Sequence, residues 1–378
     1  PYRRQRQMCI RDSTKNIMSE TLELQQVICP SCKQVITSFS PFQAEVECPY
    51  CHNKAFNPLI TAKKVPIPER LIIFRTSEKD FEKAMIDNLV DHDYVPTDIF
   101  QCINPGNVIK AYLPMFLYEG TYQSSWSCEM AIETTEVRAS FSGNSLNNEK
   151  VKKFIPQTGT SQGNFAFLCL AYEGNDIPNE LKAFSQQYKY NVMASKEYDP
   201  ALLGLESGER PLTLALDTET DLTWNKYGDA LVNDIATQNA QKQLSGNEIQ
   251  NFRASNSYHL KHNGRYVLAP FWFVYYTYNN TKHYFIMDGL GEGTSMTTPI
   301  DQEEVKFVKG RNLIKSIYKY LWIPTWFVFC WLDLIYALIY LMVWFISKII
   351  LNYLMDKQIK DRLNASREAR RLAAQNLG

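Results

Sequence analysis

Four cysteines carry the plainest chemistry in this chain: Cys29, Cys32, Cys48 and Cys51 read C-P-S-C, fifteen residues, C-P-Y-C. Two C-x-x-C knuckles at that separation have the ligand spacing of a structural zinc ribbon, in which four thiolates close a tetrahedral shell around one Zn2+. A closed shell leaves no position to activate water, so the expected metal serves folding rather than catalysis. Two disulfides could use the same cysteines, but a bridge within C-P-x-C spans a very tight loop. The remaining five, Cys9, Cys102, Cys128, Cys169 and Cys330, are odd in number. Thiolate ligation needs a reducing compartment and places this end of the chain in the cytoplasm.

The elements that hold the thiolates are short. Pro30 and Pro49 fix the chain direction inside each knuckle, and residues 35–39 and 44–47 are expected to pair as strands around Ser40-Pro41. A ribbon of about 40 residues buries too little surface to stand alone, and the metal supplies the missing stability. We bound it at residues 18–64. The opening string P-Y-R-R-Q-R-Q-M-C-I-R-D-S resembles translated sequencing-adapter sequence, so residues 1–17 are set aside as adapter-derived or disordered, with the natural start at or near Met18.

Charge narrows the functional classes. The chain of 378 residues has 40 basic and 40 acidic groups. Residues 18–64 are balanced at four Lys and four Glu, residues 65–310 carry 21 basic and 31 acidic groups, and residues 311–378 carry ten and four. Nucleic-acid binding draws most of its affinity from phosphate neutralisation, so a neutral ribbon beside an acidic body disfavours it. Tethered nucleic-acid binding stays as the alternative, because zinc ribbons often serve that end.

Residues 320–347 hold four Trp and three Tyr in an apolar run whose only charge is Asp333. That length can cross a bilayer, which needs about 20 apolar residues. Residues 316–355 are therefore the expected membrane segment, with lipid as a partner. It forms either one tilted helix with a kink at Pro324 or a hairpin turning at Asp333. Basic residues on both flanks, Arg311, Lys315 and Lys319 before and Lys357 to Arg371 after, favour both flanks being cytoplasmic. Residues 356–378 read as a basic helical tail.

Residues 65–310 read as a duplicated soluble body. Residues 113–122, L-P-M-F-L-Y-E-G-T-Y, align with residues 269–278, A-P-F-W-F-V-Y-Y-T-Y, at an offset of 156. At the same offset the amphipathic segment 77–89 falls on 233–245. The repeats, about 65–160 and 220–310, are each expected to be a helix on an antiparallel meander, which makes the fold class α+β. Asn279-Asn280 and Asp288-Gly289 mark turns, and residues 164–172 and 179–188 read as a strand and a helix.

Weaker motifs yield no catalytic set. Gly159-Thr160-Ser161-Gln162-Gly163 has the letters of a nucleophile elbow without the strand before it and the helix after it. Gly289, Gly291 and Gly293 lack the full phosphate-loop pattern. His259 and His262, and Asp217, Glu219 and Asp221, are weak ligand candidates. G-x-x-x-x-G-K-S/T and H-E-x-x-H are missing, so the sequence gives ATPase, helicase and zinc-protease readings nothing to stand on.

The ribbon, the strand at 71–74 leading into the helix at Ser77, the phrases A-Y-L-P-M-F-L-Y-E-G-T-Y and L-A-P-F-W-F-V-Y-Y-T-Y-N-N-T-K-H-Y-F-I-M-D-G, and the C-terminal apolar segment together resemble a prokaryotic family of zinc-ribbon membrane proteins. Its members are often labelled transcription-factor-IIB-type zinc ribbon or primosomal helicase-like. The resemblance implies Cys29, Cys32, Cys48 and Cys51 as a binding site and brings little function with it. The sequence thus predicts a non-enzymatic protein at a bacterial or archaeal cell membrane. Its ribbon and body face the cytoplasm and bind another protein.

Overall fold

The computed structural model describes residues 21–38, 45–48, 50–51, 53–56, 58–105, 107–139, 146–175, 177–187, 194–199, 202, 211–332 and 334–375. Expectations for residues 1–17, for the Ser40-Pro41 turn and for Asp333 itself fall outside them. The chain is mixed α+β and divides into two compact units, residues 1–74 with 109–271, and residues 75–108 with 272–378.

The first unit begins with five short strands: β1 (Thr21–Ile28), β2 (Val35–Ser38), β3 (Glu45–Glu47), β4 (Lys54–Phe56) and β5 (Ile60–Pro66). They form a three-stranded sheet in the order β2-β1-β5 and a separate hairpin β3-β4. This corrects the expected pairing of residues 35–39 with 44–47. Each knuckle instead closes its own hairpin, β1 to β2 through Cys29 and Cys32, and β3 to β4 through Cys48 and Cys51.

The body of this unit contains β6 (Arg70–Ile72), β8 (Ile109–Ala139), β9 (Leu146–Leu170), α3 (Asn179–Gln187), β10 (Ser195–Glu197), β11 (Leu212–Thr213), α4 (Thr220–Thr223), α5 (Asp229–Lys242) and β12 (Ile249–Leu260). It also holds the first part of β13 (Arg265–Tyr278). The numbering leaves α1 (Glu78–Asp91), α2 (Ile99–Cys102) and β7 (Asn104–Pro105) to the second unit. β8 and β9 form a long antiparallel hairpin, and β12 lies on the other edge of β8. The α5 helix covers one face of this sheet. Its Val232 and Ala236 pack into a core of Tyr118, Tyr122, Phe165, Phe167 and Trp224, with Trp224 stacked on Phe167 at 6.3 Å.

The register between β8 and β13 is centred on a single pair. Leu113 faces Ala269, Tyr112 faces Pro270 and Pro114 faces Leu268. Because 113 and 269 are the positions aligned at the 156-residue offset, exchanging the two segments leaves this pairing unchanged. Two short strands join the long ones at positions related by the same exchange, although the short strands themselves lie 142 residues apart. β6 runs parallel to β13 at Val267 and Leu268, and β11 runs parallel to β8 at Ala111 and Tyr112. The parallel pairs make the sheet mixed, where an antiparallel meander was expected.

In the second unit the remainder of β13 turns through Asn279 and Asn280, both at positive φ, into β14 (Thr281–Asp288) and then β15 (Thr294–Met296). Two successive positive φ values suit the right-handed twist of a two-residue hairpin, and Asn tolerates them. Helix α1 starts at Ser77, whose side chain accepts from the Asp80 N–H while the Asp80 carboxylate accepts from the Ser77 N–H. Its Phe81 packs between Trp272 and Phe285, at 5.7 and 5.2 Å.

Two long helices close this unit, α6 (Gln302–Leu332) and α7 (Leu334–Gln375). They run as an antiparallel hairpin, tied by Ser366 donating to Glu304 at 2.6 Å, by a Lys315–Asp356 ion pair and by a Tyr318–Ser347 hydroxyl contact at 2.5 Å. The basic tail is the continuation of α7 rather than a separate element. It docks on α1 and α2: Arg370, 1% exposed, donates to the carbonyls of Val90, His92 and Val95. Those carbonyls lie at and just beyond the C-terminal turn of α1, where intrahelical donors run out. Burial pushes the Arg370 guanidinium below its ordinary value, and the buried Glu304 carboxylate opposes that shift.

Replacing Arg370 by Met strands these carbonyls and leaves Glu304 without its compensating charge. We expect thermal and denaturant unfolding of the full chain to show a loss of about 3 kcal/mol. The Glu304→Gln/Arg370→Met double variant should lose less than the sum of the single losses. Additive losses would show that the two groups do not act on each other.

Candidate metal centre

The four sulfurs converge. Every Sγ of Cys29, Cys32, Cys48 and Cys51 lies within 4.8 Å of the others, with Cys29–Cys51 and Cys32–Cys48 each at 3.6 Å. A disulfide needs about 2.05 Å, and none of the four is bonded to another. Metal–sulfur bonds of about 2.3 Å in a tetrahedron put sulfurs about 3.8 Å apart, so the spacing fits one tetrahedral ion. The cluster could hold a metal ion, and among the described residues no other group of His, Cys, Asp and Glu gathers in this way.

The backbone presents the sulfurs. In the first knuckle the Cys29 N–H donates to the Gln34 carbonyl at 2.9 Å and the Lys33 N–H to the Cys29 carbonyl at 3.0 Å, with Lys33 at φ +62°. In the second the Cys48 N–H donates to the Asn53 carbonyl at 3.1 Å. Burial raises the Cys29 thiol, but N–H donation from Cys32 and Ser31 outweighs it and draws the thiol down to about 6. Burial pushes Cys32 and Cys48 upward. A bound dication reverses that penalty by compensating the thiolates, so metal binding displaces protons. Cys29 and Cys48 also pack with Ile36 and Val46, which makes the metal site part of the ribbon's small core.

The ribbon is joined to the body within the first unit. The buried Thr37 hydroxyl on β2 donates to the Thr213 carbonyl on β11 at 2.6 Å. The ribbon also exposes large apolar side chains: Ile28 is 64% exposed, Phe56 72%, Leu59 85% and Ile60 40%. Val27 pairs with Ile60, and Ile28 and Leu59 each lie one residue beyond that pair, Ile28 directly before Cys29.

The weaker motifs have structural roles. Ser161 is buried in the middle of β9, with no turn around it. Its flanking glycines face aromatic rings on β8, since Gly159 pairs with Trp126 and Gly163 with Tyr122. A Cβ at either position would collide with the facing ring. Gly120 and Phe165 form a third such pair. Periodicity along one strand could not reveal this, because the partner lies some forty residues away. Asp217 takes the N–H groups of Glu173 and Gly174, Asp221 accepts from Asn263, and His262 contacts Arg265, so neither set forms a ligand cluster. The loop after β14 turns its N–H groups inward to the buried Asp288 carboxylate, which accepts from Leu290, Glu292 and Gly293. An anion would find those donors already used.

No protein-family model, no curated protein and no solved structure matches this chain.

Metal analysis should find one ion per chain and none in Cys48→Ser. Stripping the metal with a chelator should raise hydrogen exchange across β1 to β5 and at Thr213, while α5 stays protected. Unchanged exchange in the ribbon after metal loss would show that the thiolates do not hold it together.

Proposed function

We propose that this protein is a membrane-anchored, non-enzymatic interaction module whose zinc ribbon docks another protein at the cytoplasmic face of a bacterial or archaeal membrane. The observation that carries the reading is the set of exposed apolar side chains, Ile28, Phe56, Leu59 and Ile60, on a ribbon whose four thiolates close a site of the right size for zinc. Several exposed large apolar groups on so small a module mark an interaction site. Four thiolates in tetrahedral reach suit zinc, and such a shell has no coordination position for a substrate.

The anchor is the α6–α7 hairpin. Among the described residues one helix, within α7, is long and apolar enough to cross a membrane, and its apolar window is unburied. Leu313, Ile317 and Leu321 on α6 and Leu338, Met342, Phe345, Ile349 and Leu354 on α7 are all exposed. Measured from position 333, that shell extends about 30 Å on each arm, the thickness of a bilayer's hydrocarbon core. An antiparallel pair returns the chain to the side it left, which suits the basic flanks on both sides of the apolar run. We take the hairpin over the single tilted span for that reason.

We read the body as a duplication with exchanged parts. The central pairing is unchanged by the 156-residue exchange, and the two parallel strands β6 and β11 occupy corresponding positions. Helix α1 packs on the β13–β14 hairpin, and α5 packs on β8 and β9. With the second copy extended back to Leu212, each copy lends its short strand and helix to the hairpin of the other, as in a domain-swapped dimer made covalent.

A photo-crosslinking residue placed at Phe56 or Leu59 of the full chain should give protein adducts in the membrane fraction. Cys48→Ser should abolish them, and Leu59→Asp should abolish those formed from Phe56 while leaving the metal bound. Adducts that nuclease removes, or none at all in intact cells, would overturn the reading.

A further inference from the structure

We propose that Lys319 and Lys348 form a paired cationic collar on the α6–α7 hairpin that holds anionic phospholipid headgroups at the surface the hairpin enters. The inference rests on the membrane reading above and adds the lipid class it recognises. In an antiparallel hairpin, residues equally far from the turn lie at one level. Lys319 stands 14 residues before position 333 and Lys348 15 after it, so at 1.5 Å per residue both lie about 21 to 23 Å from the turn.

The level they share has the composition of a bilayer interface. The Lys319 ammonium sits 5.4 Å from the Tyr320 ring centre and the Lys348 ammonium 4.9 Å from that of Trp344. Between the helices Tyr318 and Trp344 stack at 6.5 Å and 11°, and the Tyr318 and Ser347 hydroxyls meet. Aromatic rings with a polar edge and lysines with long apolar stems gather where hydrocarbon gives way to headgroups. The collar is nearer to the turn than the roughly 30 Å of a hydrocarbon core. Its stems therefore extend outward or the bilayer thins locally, and either brings the ammonium groups to phosphate level.

Charge complementarity identifies the occupant. One helical turn further from position 333, Lys315 is already paired with Asp356. Among the described residues, Lys319 and Lys348 have no carboxylate partner, and the sequence between them holds Asp333 as its only charge. Two uncompensated cations at the edge of an apolar belt need anions, and a lipid with net negative charge supplies them at that level.

The test is made on the full chain reconstituted into phosphatidylcholine vesicles that carry either dibrominated phosphatidylglycerol or dibrominated phosphatidylcholine at equal mole fraction. Tryptophan fluorescence reports contact through bromine quenching. The brominated anionic lipid should quench with roughly fivefold higher apparent affinity. Lys319→Gln/Lys348→Gln should bring the two lipids level, and Lys319→Arg/Lys348→Arg should keep the preference. Equal quenching in the unaltered protein, or a preference that survives the Gln pair, overturns the collar. Absence of quenching by both lipids would instead remove the anchor, and the collar with it.

Discussion

The pairing of β8 with β13 about Leu113 and Ala269 is the constraint from which the body is built. The two segments lie 156 residues apart in the chain, so the contact closes a long loop before any reward from packing arrives. Once made, it fixes the registers of the strands around it, because β6 lies on β13 and β11 and β9 lie on β8. Two prolines flank the crossing point, Pro114 opposite Leu268 and Pro270 opposite Tyr112. Proline inside a sheet removes a ladder donor and is normally confined to edges or bulges. Here β9 pairs with β8 only from Met115 onward, so Pro114 needs no donor on that side. Its carbonyl is still used, by the Ala171 N–H at 2.9 Å.

Local chemistry was readable wherever one stretch of chain determines the outcome. Ser77 with Asp80 makes the capping box that opens α1, and Asn279-Asn280 makes the tight hairpin turn. The C-x-x-C pairs bring four sulfurs together, because knuckle geometry is set within a few residues. The helix expected at 179–188 is α3 over Asn179–Gln187, while the one expected at 233–245 runs from Asp229 to Lys242, because α4 and a five-residue π-turn run directly into it.

What escaped the sequence depends on distant partners. The two-residue strand β11 has no pattern of its own and exists because β8 offers it an edge. The G-x-S-x-G letters mimic an active-site turn, whereas the glycines are there to let Trp126 and Tyr122 lie flat across the neighbouring strand. Arg370 looked like one charge of a solvated basic tail. Among the described residues it is one of the most buried side chains, where it donates to three carbonyls around the end of α1.

These contacts divide the mechanical work between the ends of the chain. In the first unit the cysteine cluster sits where β1 gives way to β2, and Thr37 ties β2 to β11 and so to β8. A ribbon whose core is little more than Leu24, Val27, Ile36, Val46, Ala55 and Val65 could not hold β2 in place by packing alone. In the second unit α7 is one helix of 42 residues, about 63 Å long. Its apolar half and its docked half cannot move separately without breaking the helix between them. Arg370 therefore couples α1 to whatever holds the apolar half. A flexible linker between the two halves would leave them free to move apart. A continuous helix locked into the end of α1 holds its apolar half at a set distance from α1.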